Sequence, residues 1–199
     1  MTLKLNGSTS GSVSIDAPAS TTGGADVTFK LPVADSTAGQ VLQTDASGQL
    51  AFTGNTPMFL AGPAITQTGL TSGQLTKVTF TEIHDPQSTY SSNSRFTPGV
   101  AGYYAFHTNV FMEDPGNDDV YNWELTLFKN GSTARATVGR FHSDNSDGDH
   151  LQPCFSGVIY LDADDYIEVY AMAGTHNSDD WKIDGTYGGM FTAYKLIGV

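Results

Sequence analysis

Arg95-Phe96-Thr97-Pro98-Gly99-Val100-Ala101-Gly102-Tyr103-Tyr104-Ala105-Phe106 decides how this chain folds. It reads as a short strand, a Pro-Gly turn and a long aromatic strand that Gly102 opens and that runs to about Met112. Tyr104 and Phe106 fall on one face at the two-residue period of a strand. Pro98 and Gly99 supply turn geometry closed to β-branched residues. Rings this dense need a core, because each removes a large apolar area from water when buried.

The stretches on either side repeat the pattern. Downstream, Trp123 to Phe128 is expected to be a strand, Lys129-Asn130-Gly131-Ser132 an Asn-Gly hairpin, and Thr133 to His142 its partner. Gly157 to Leu161, Tyr166 to Ala171 and Tyr187 to Ile197 read as three further strands. Upstream, Met58 to Ala61 begins a strand that Gly62-Pro63 should break. Leu75 to Ile83 alternates as one strand, and Tyr90 is expected to plug the core. No segment carries a sustained apolar repeat of helical period. Strands recur with turn signals at short intervals, which predicts an all-β sandwich over residues 58–199.

Residues 1–55 have a different composition. They hold no Tyr, Trp or Cys and are rich in Ser, Thr, Gly and Ala. Leu3-Lys4-Leu5 and Ser12 to Ile15 read as short strands. Asp26 to Leu31 alternates, with Val27, Phe29 and Leu31 on one face. Gln40 to Gln43 and Gln49 to Phe52 flank a hairpin turn. So few apolar side chains cannot close a core unaided. The segment is either partly disordered or packed against copies of itself or a larger body.

Net charge is −12, and fifteen of the 21 acidic residues lie between Glu113 and Asp184. That balance disfavours nucleic acid and anionic membranes. No apolar run reaches the length of a membrane span and no signal-peptide core follows Met1, so a soluble product that is not visibly exported is expected. The single cysteine, Cys154, permits no intrachain disulfide and sits in an apolar context that predicts a buried thiol.

The five histidines show no zinc spacing, and His107 is expected to be a satisfied packing residue on the central strand. There is no nucleophile elbow, phosphate loop or dinucleotide fingerprint, so no catalytic residue is assigned and no enzyme is expected. Asp144, Asp147 and Asp149 sit in a loop that superficially resembles a calcium loop but lacks its closing glutamate. No cofactor is expected, calcium apart. Asp179-Asp180-Trp181 places an indole beside two acids, a combination suited to a sugar ring, although a Trp covering the end of the sandwich fits it too.

Two resemblances add to this reading. Phe96, Gly102, Tyr104 and Phe106 resemble the aromatic signature of the C1q-like globular heads, in the jelly-roll superfamily of the tumour necrosis factors. Val78-Thr79-Phe80, Leu125 to Gly131, Val158 to Val169 and Phe191 to Leu196 are similar to further strands of that family, in the same order. Asp85 stands five positions after Phe80, where the family has an acid or amide six positions on. This resemblance implies a ten-stranded jelly roll that assembles as a trimer, with Tyr103, Tyr170 and Tyr194 as interface candidates. Leu3 to Val13, Asp16 to Ser20, Thr28 to Pro32, Gly39 to Asp45 and Ser47 to Leu50 resemble segments of tailed-bacteriophage fibre and appendage proteins. That implies a homotrimeric virion protein, anchored to other virion proteins through residues 1–55, whose head contacts a host glycan or protein. The alternative is a free carbohydrate- or protein-binding module.

Overall fold

The computed structural model describes residues 3–6, 9–10, 12–15, 24, 26, 28, 30–33, 40–44, 49–53, 57–115, 120–142, 150–176 and 180–197. The chain divides into two compact units, Met1–Asn55 and Thr56–Val199.

The first unit holds two antiparallel pairs. β1 (Leu3–Asn6) pairs with β2 (Ser12–Ile15), and β3 (Val41–Thr44) with β4 (Leu50–Thr53), Val41 facing Thr53 and Thr44 facing Leu50. The second pair is the hairpin expected there. The stretch 26–31 differs from expectation. Among its described residues only Lys30 enters a bridge, a parallel one with Gln49. The Gln49 amide donates to the carbonyls of Lys30 and Leu31 at 3.1 and 3.2 Å, fastening that stretch at one point. Leu31, Val33, Val41 and Leu42 are exposed, and none of the unit's described apolar side chains is buried.

The second unit runs β5 (Met58–Ala64), β6 (Gln67–Leu70), β7 (Thr76–Lys77), β8 (Phe80–His84), β9 (Tyr90–Ser91), β10 (Arg95–Phe96), β11 (Gly102–Asn109), β12 (Met112–Glu113), β13 (Val120–Lys129), β14 (Ser132–His142), β15 (His150–Leu151), β16 (Cys154–Leu161), β17 (Ile167–Thr175), β18 (Trp181–Ile183) and β19 (Met190–Lys195). One sheet has the order β16-β11-β19-β5-β8. The other has the order β14-β13-β17-β10-β9, with β7 added beside β17. Strands distant in sequence lie side by side in both, the signature of a jelly roll. A third sheet, β15-β12-β18-β6, is built from short strands.

Two upstream expectations need correction. β5 continues through Gly62-Pro63 to Ala64, with a shift of register against β8 after Ala61. Leu75 to Ile83 is not one strand. Thr76–Lys77 pairs with β17 in one main sheet and Phe80–His84 with β5 in the other. The Gln67 side chain pins the crossing between them, accepting from the Thr79 amide at 3.0 Å and donating to the Lys77 carbonyl at 2.9 Å. Two-residue periodicity persists across such a crossing, so alternation alone could not reveal it.

The stretch from Arg95 to Phe106 joins the two sheets. Phe96, on β10, meets Tyr104 and Phe106, on β11, edge to face at 5.5 and 5.8 Å. Phe59 of β5 stacks on Phe96 at 4.8 Å and on Tyr90 at the same distance. The four rings named in the expected core are fully or nearly fully buried, as is Phe191. The Tyr104 hydroxyl donates to the Val100 carbonyl at 2.6 Å, closing the turn that Gly99 makes at φ +69°.

Burial pushes the Tyr90 and Tyr104 phenols up to about 12. In the unfolded chain a tyrosine ionises near pH 10. The unfolded state therefore loses its protons first, and stability present below pH 10 is lost as pH rises toward 12. Denaturant titrations at stepped pH should show the midpoint falling above pH 10, and falling less in Tyr104→Phe. An equal fall in both proteins would refute the assignment.

The hairpin at Asn130 (φ 53°) and Gly131 (φ 76°) is the type expected from its Asn-Gly pair. It is tied to the β16–β17 turn. The Asn130 side chain donates to Asp165 at 2.6 Å and accepts from the Tyr166 amide at 2.9 Å, while Lys129 pairs with Asp165 at 2.6 Å. Burial pushes the Asp165 carboxyl up, but the bonds from Lys129, the Asp162 amide and Asn130 outweigh it and hold it below its ordinary range.

Candidate functional site

Along β11 the burial alternates, with Tyr104, Phe106 and Thr108 inward and Tyr103, Ala105, His107 and Asn109 outward. β16 does the same, with Cys154, Ser156, Val158 and Tyr160 outward. Register sets these outward residues in rows. Tyr160 faces Tyr103; Val158, Ala105, Tyr194 and Met58 form the next row; Ser156, His107, Thr192 and Leu60 form the third. The outer face of the five-stranded sheet is thus apolar and aromatic at one end. Tyr103 and Tyr160 meet edge to face at 5.2 Å. Their exposures are 45 and 46%, with 57% for Val158 and 52% for Tyr194. Together these side chains make an apolar patch open to water.

His107 belongs to this face rather than to the core, with Nδ1 2.7 Å from the Ser156 hydroxyl. Cys154 is exposed, contrary to expectation. On β16 the inward place next to it goes to Phe155, which packs against the core.

Tyr170 is separated from the other two tyrosines. It lies on the outer face of the six-stranded sheet, between the inward Val169 and Ala171, and stacks on Phe128 at 4.2 Å. Beside it Glu168 is buried, paired with Lys77 at 2.7 Å and Arg95 at 3.0 Å. The Arg95 guanidinium lies 3.8 Å from the centre of the Tyr166 ring. Burial raises the Glu168 carboxyl, but Lys77 and Arg95 outweigh it and the net displacement is downward. Its contribution is present above the ordinary glutamate range and is lost as pH falls through the lowered value. Glu168→Ala should cost about 2–3 kcal/mol, less than a deeply buried pair, because both cations reach solvent and can rehydrate. Urea unfolding at neutral pH checks this. A loss under about 0.5 kcal/mol would show the cations gain as much from water as from the carboxylate.

The residues proposed from loops divide. Asp144, Asp147, Asp149 and Asp179 lie outside the described residues. Asp180 is exposed, but Trp181 is fully buried and donates its indole N–H to the Thr71 carbonyl at 3.1 Å. It cannot present a face to a sugar. On β18 Trp181 and Ile183 both point inward, so the acids before the indole describe the loop and not the ring. Among the described residues no group of three or more His, Cys, Asp or Glu could hold a metal ion. No helix among them is long and apolar enough to cross a membrane. Asp85 accepts from the Thr89 hydroxyl at 2.9 Å and the Tyr90 amide at 2.6 Å, so it shapes the turn that delivers Tyr90 to the core.

Residues that the sequence reading did not place in a site form a second surface, at the third sheet. Met112 and Ile183 point inward, and Glu113 stands in register between His150 and Lys182. Lys182 pairs with Glu113 and with Asp184, each at 3.1 Å. Hydrogen bonds to Asp184 and Glu113 raise the Lys182 ammonium. Phe111 stacks on His150 at 5.6 Å and touches Tyr187 at 4.7 Å. The sequence pattern put Tyr187 in the last strand, whereas it closes a 3₁₀ turn, Gly185–Tyr187, ahead of it.

The two-sheet core and its strand order define a jelly-roll sandwich. Among solved structures, murine APRIL at pH 8.0 is similar to this chain with a TM-score of 0.50 and 15% identity, over 71% of this chain and 100% of that one. The Eiger TNF of S. frugiperda is similar at TM-score 0.46 and 15% identity, over 72% of this chain and 95% of its own. The globular domain of zebrafish complement 1qA protein is similar at TM-score 0.43 and 15% identity, over 71% and 96%. At this identity the likeness concerns the fold alone, an all-β sandwich. No family model and no curated protein matches the chain.

Proposed function

We propose that this chain is a homotrimeric, non-enzymatic structural protein of a tailed-phage virion, whose head contacts the host surface. The observation that carries the assembly is the apolar patch of Tyr103, Val158, Tyr160 and Tyr194 on one sheet face. Three copies brought together on that face would remove it from water, and a closed symmetric contact of this kind does not propagate into fibres. The resemblance of residues 3–52 to phage fibre segments supports the virion setting. The nearly neutral first unit, none of whose described apolar side chains is buried, suits docking onto other virion proteins. Three heads would present each weak site three times over, so that binding gains from avidity.

Purified particles test the setting. The chain should co-sediment with intact virions, and labelled antibody should mark an appendage. A chain found only in the lysate would favour the free binding module. Light scattering tests the assembly separately: a one-chain mass at micromolar concentration would remove the trimer.

A further inference from the structure

We infer that the sandwich end built on β12, β15 and β18 binds a pyranose ring of an uncharged glycan, stacked on Tyr187 and held at its hydroxyl edge by Glu113, Lys182 and Asp184.

Tyr187 is 63% exposed, yet its mount is rigid. The Asp184 carboxylate accepts from the Thr186 amide at 2.9 Å, and the Gly185 amide donates to the Thr66 hydroxyl at 3.0 Å. A Cβ on Gly185 would meet the Ala64 carbonyl oxygen, so this turn presses directly on β5. The backbone leading into Tyr187 is thus fastened, and its ring stands largely in water. Phe111 touches the ring at 4.7 Å, and His150 stacks on Phe111 in turn. An exposed ring braced by a second aromatic offers apolar area on which the C–H face of a sugar can stack.

The charges beside it disfavour an acidic partner. Lys182 pairs with both carboxylates but offsets only one of their two charges, so the cluster keeps a net negative charge. An anion finds the Lys182 ammonium already paired, on an acid-rich chain. Sugar hydroxyls, by contrast, both donate and accept. They can bond to the remaining carboxylate lone pairs and the third ammonium proton without breaking either ion pair. Few fixed polar groups beside an aromatic floor is the usual make-up of a small-molecule site.

The inference goes beyond the virion reading and does not need it. The full chain would be applied to an array of immobilised bacterial polysaccharides and defined glucan, galactan, mannan and N-acetylglucosamine oligomers, and the best binder titrated by calorimetry. Tyr187→Ala should weaken binding about tenfold or more, at unchanged thermal midpoint and oligomer mass, while Tyr187→Trp retains it. Lys182→Met should weaken it as well. No bound glycan, binding indifferent to Tyr187→Ala, or preference for charged sugars would overturn the proposal. So would a loss of oligomer mass in Tyr187→Ala, which would place the ring in a contact between copies. Binding without particle association would leave this site standing and remove the virion reading; the reverse result would do the opposite.

Discussion

Phe96→Ala is expected to lower the unfolding free energy by about 3–5 kcal/mol, the range for deleting a fully buried phenylalanine. Phe96 is the right residue for so large an effect because of where it stands. It is carried by a two-residue strand of the six-stranded sheet, and its ring contacts come from the five-stranded sheet: Phe59, Tyr104 and Phe106. Truncation empties the seam between the layers, and rigid strands on both sides limit how far the gap can collapse. Domains of this size hold about 5–15 kcal/mol in total, so much of the stability would go. Phe96→Leu keeps most of the volume and should cost clearly less. Urea titrations at fixed protein concentration measure both, and an unchanged slope would confirm that the loss is one of stability. A loss below about 1 kcal/mol for the alanine variant would show that the sheets are not joined through this ring.

That seam was legible in the sequence because its information is local. Phe96, Tyr104 and Phe106 lie within eleven residues, and alternation around Gly102 assigns their faces. The Asn130-Gly131 hairpin was legible for the same reason, since its residues have the left-handed backbone that the turn demands. What the sequence hid lies in pairings between distant strands. Strands of two to four residues have no measurable period, so the third sheet left no trace, and with it went the surface of Phe111, His150 and Tyr187. For Trp181 the sequence left a stacking ring and a cover for the sandwich open, and the burial of its indole favours the cover; adjacent acids say nothing about which face of β18 it takes. Cys154 was misplaced because an apolar neighbourhood does not say whether the inward place belongs to it or to Phe155. The tyrosine face shows the limit most directly. Tyr103 and Tyr194 were identified, but their neighbours Val158 and Tyr160 join them only through the register of β16 on β11. Tyr170 looked equivalent along the chain and is carried by the other sheet.

That register makes the assembly testable by charge. Val158→Glu with Tyr194→Glu places two carboxylates in one row of the outer face, on either side of Ala105. Both side chains are more than half exposed in the single chain, so its fold should tolerate the change. In a threefold assembly closed over this face each carboxylate appears three times, buried, without a cation and near its own copies. An unpaired charge held out of water costs several kcal/mol, so six of them exceed what the contact can supply. The expected result is a shift from a three-chain to a one-chain mass by light scattering, with the far-ultraviolet β signature retained. Thermal stability should become independent of concentration, because unfolding is no longer linked to dissociation. Two substitutions to glutamate at Ile83 and Ile65, equally exposed but off this row, control for the added charge. An assembly that survives the Val158–Tyr194 pair, or one that fails equally in the control, would move the contact away from β16, β11 and β19.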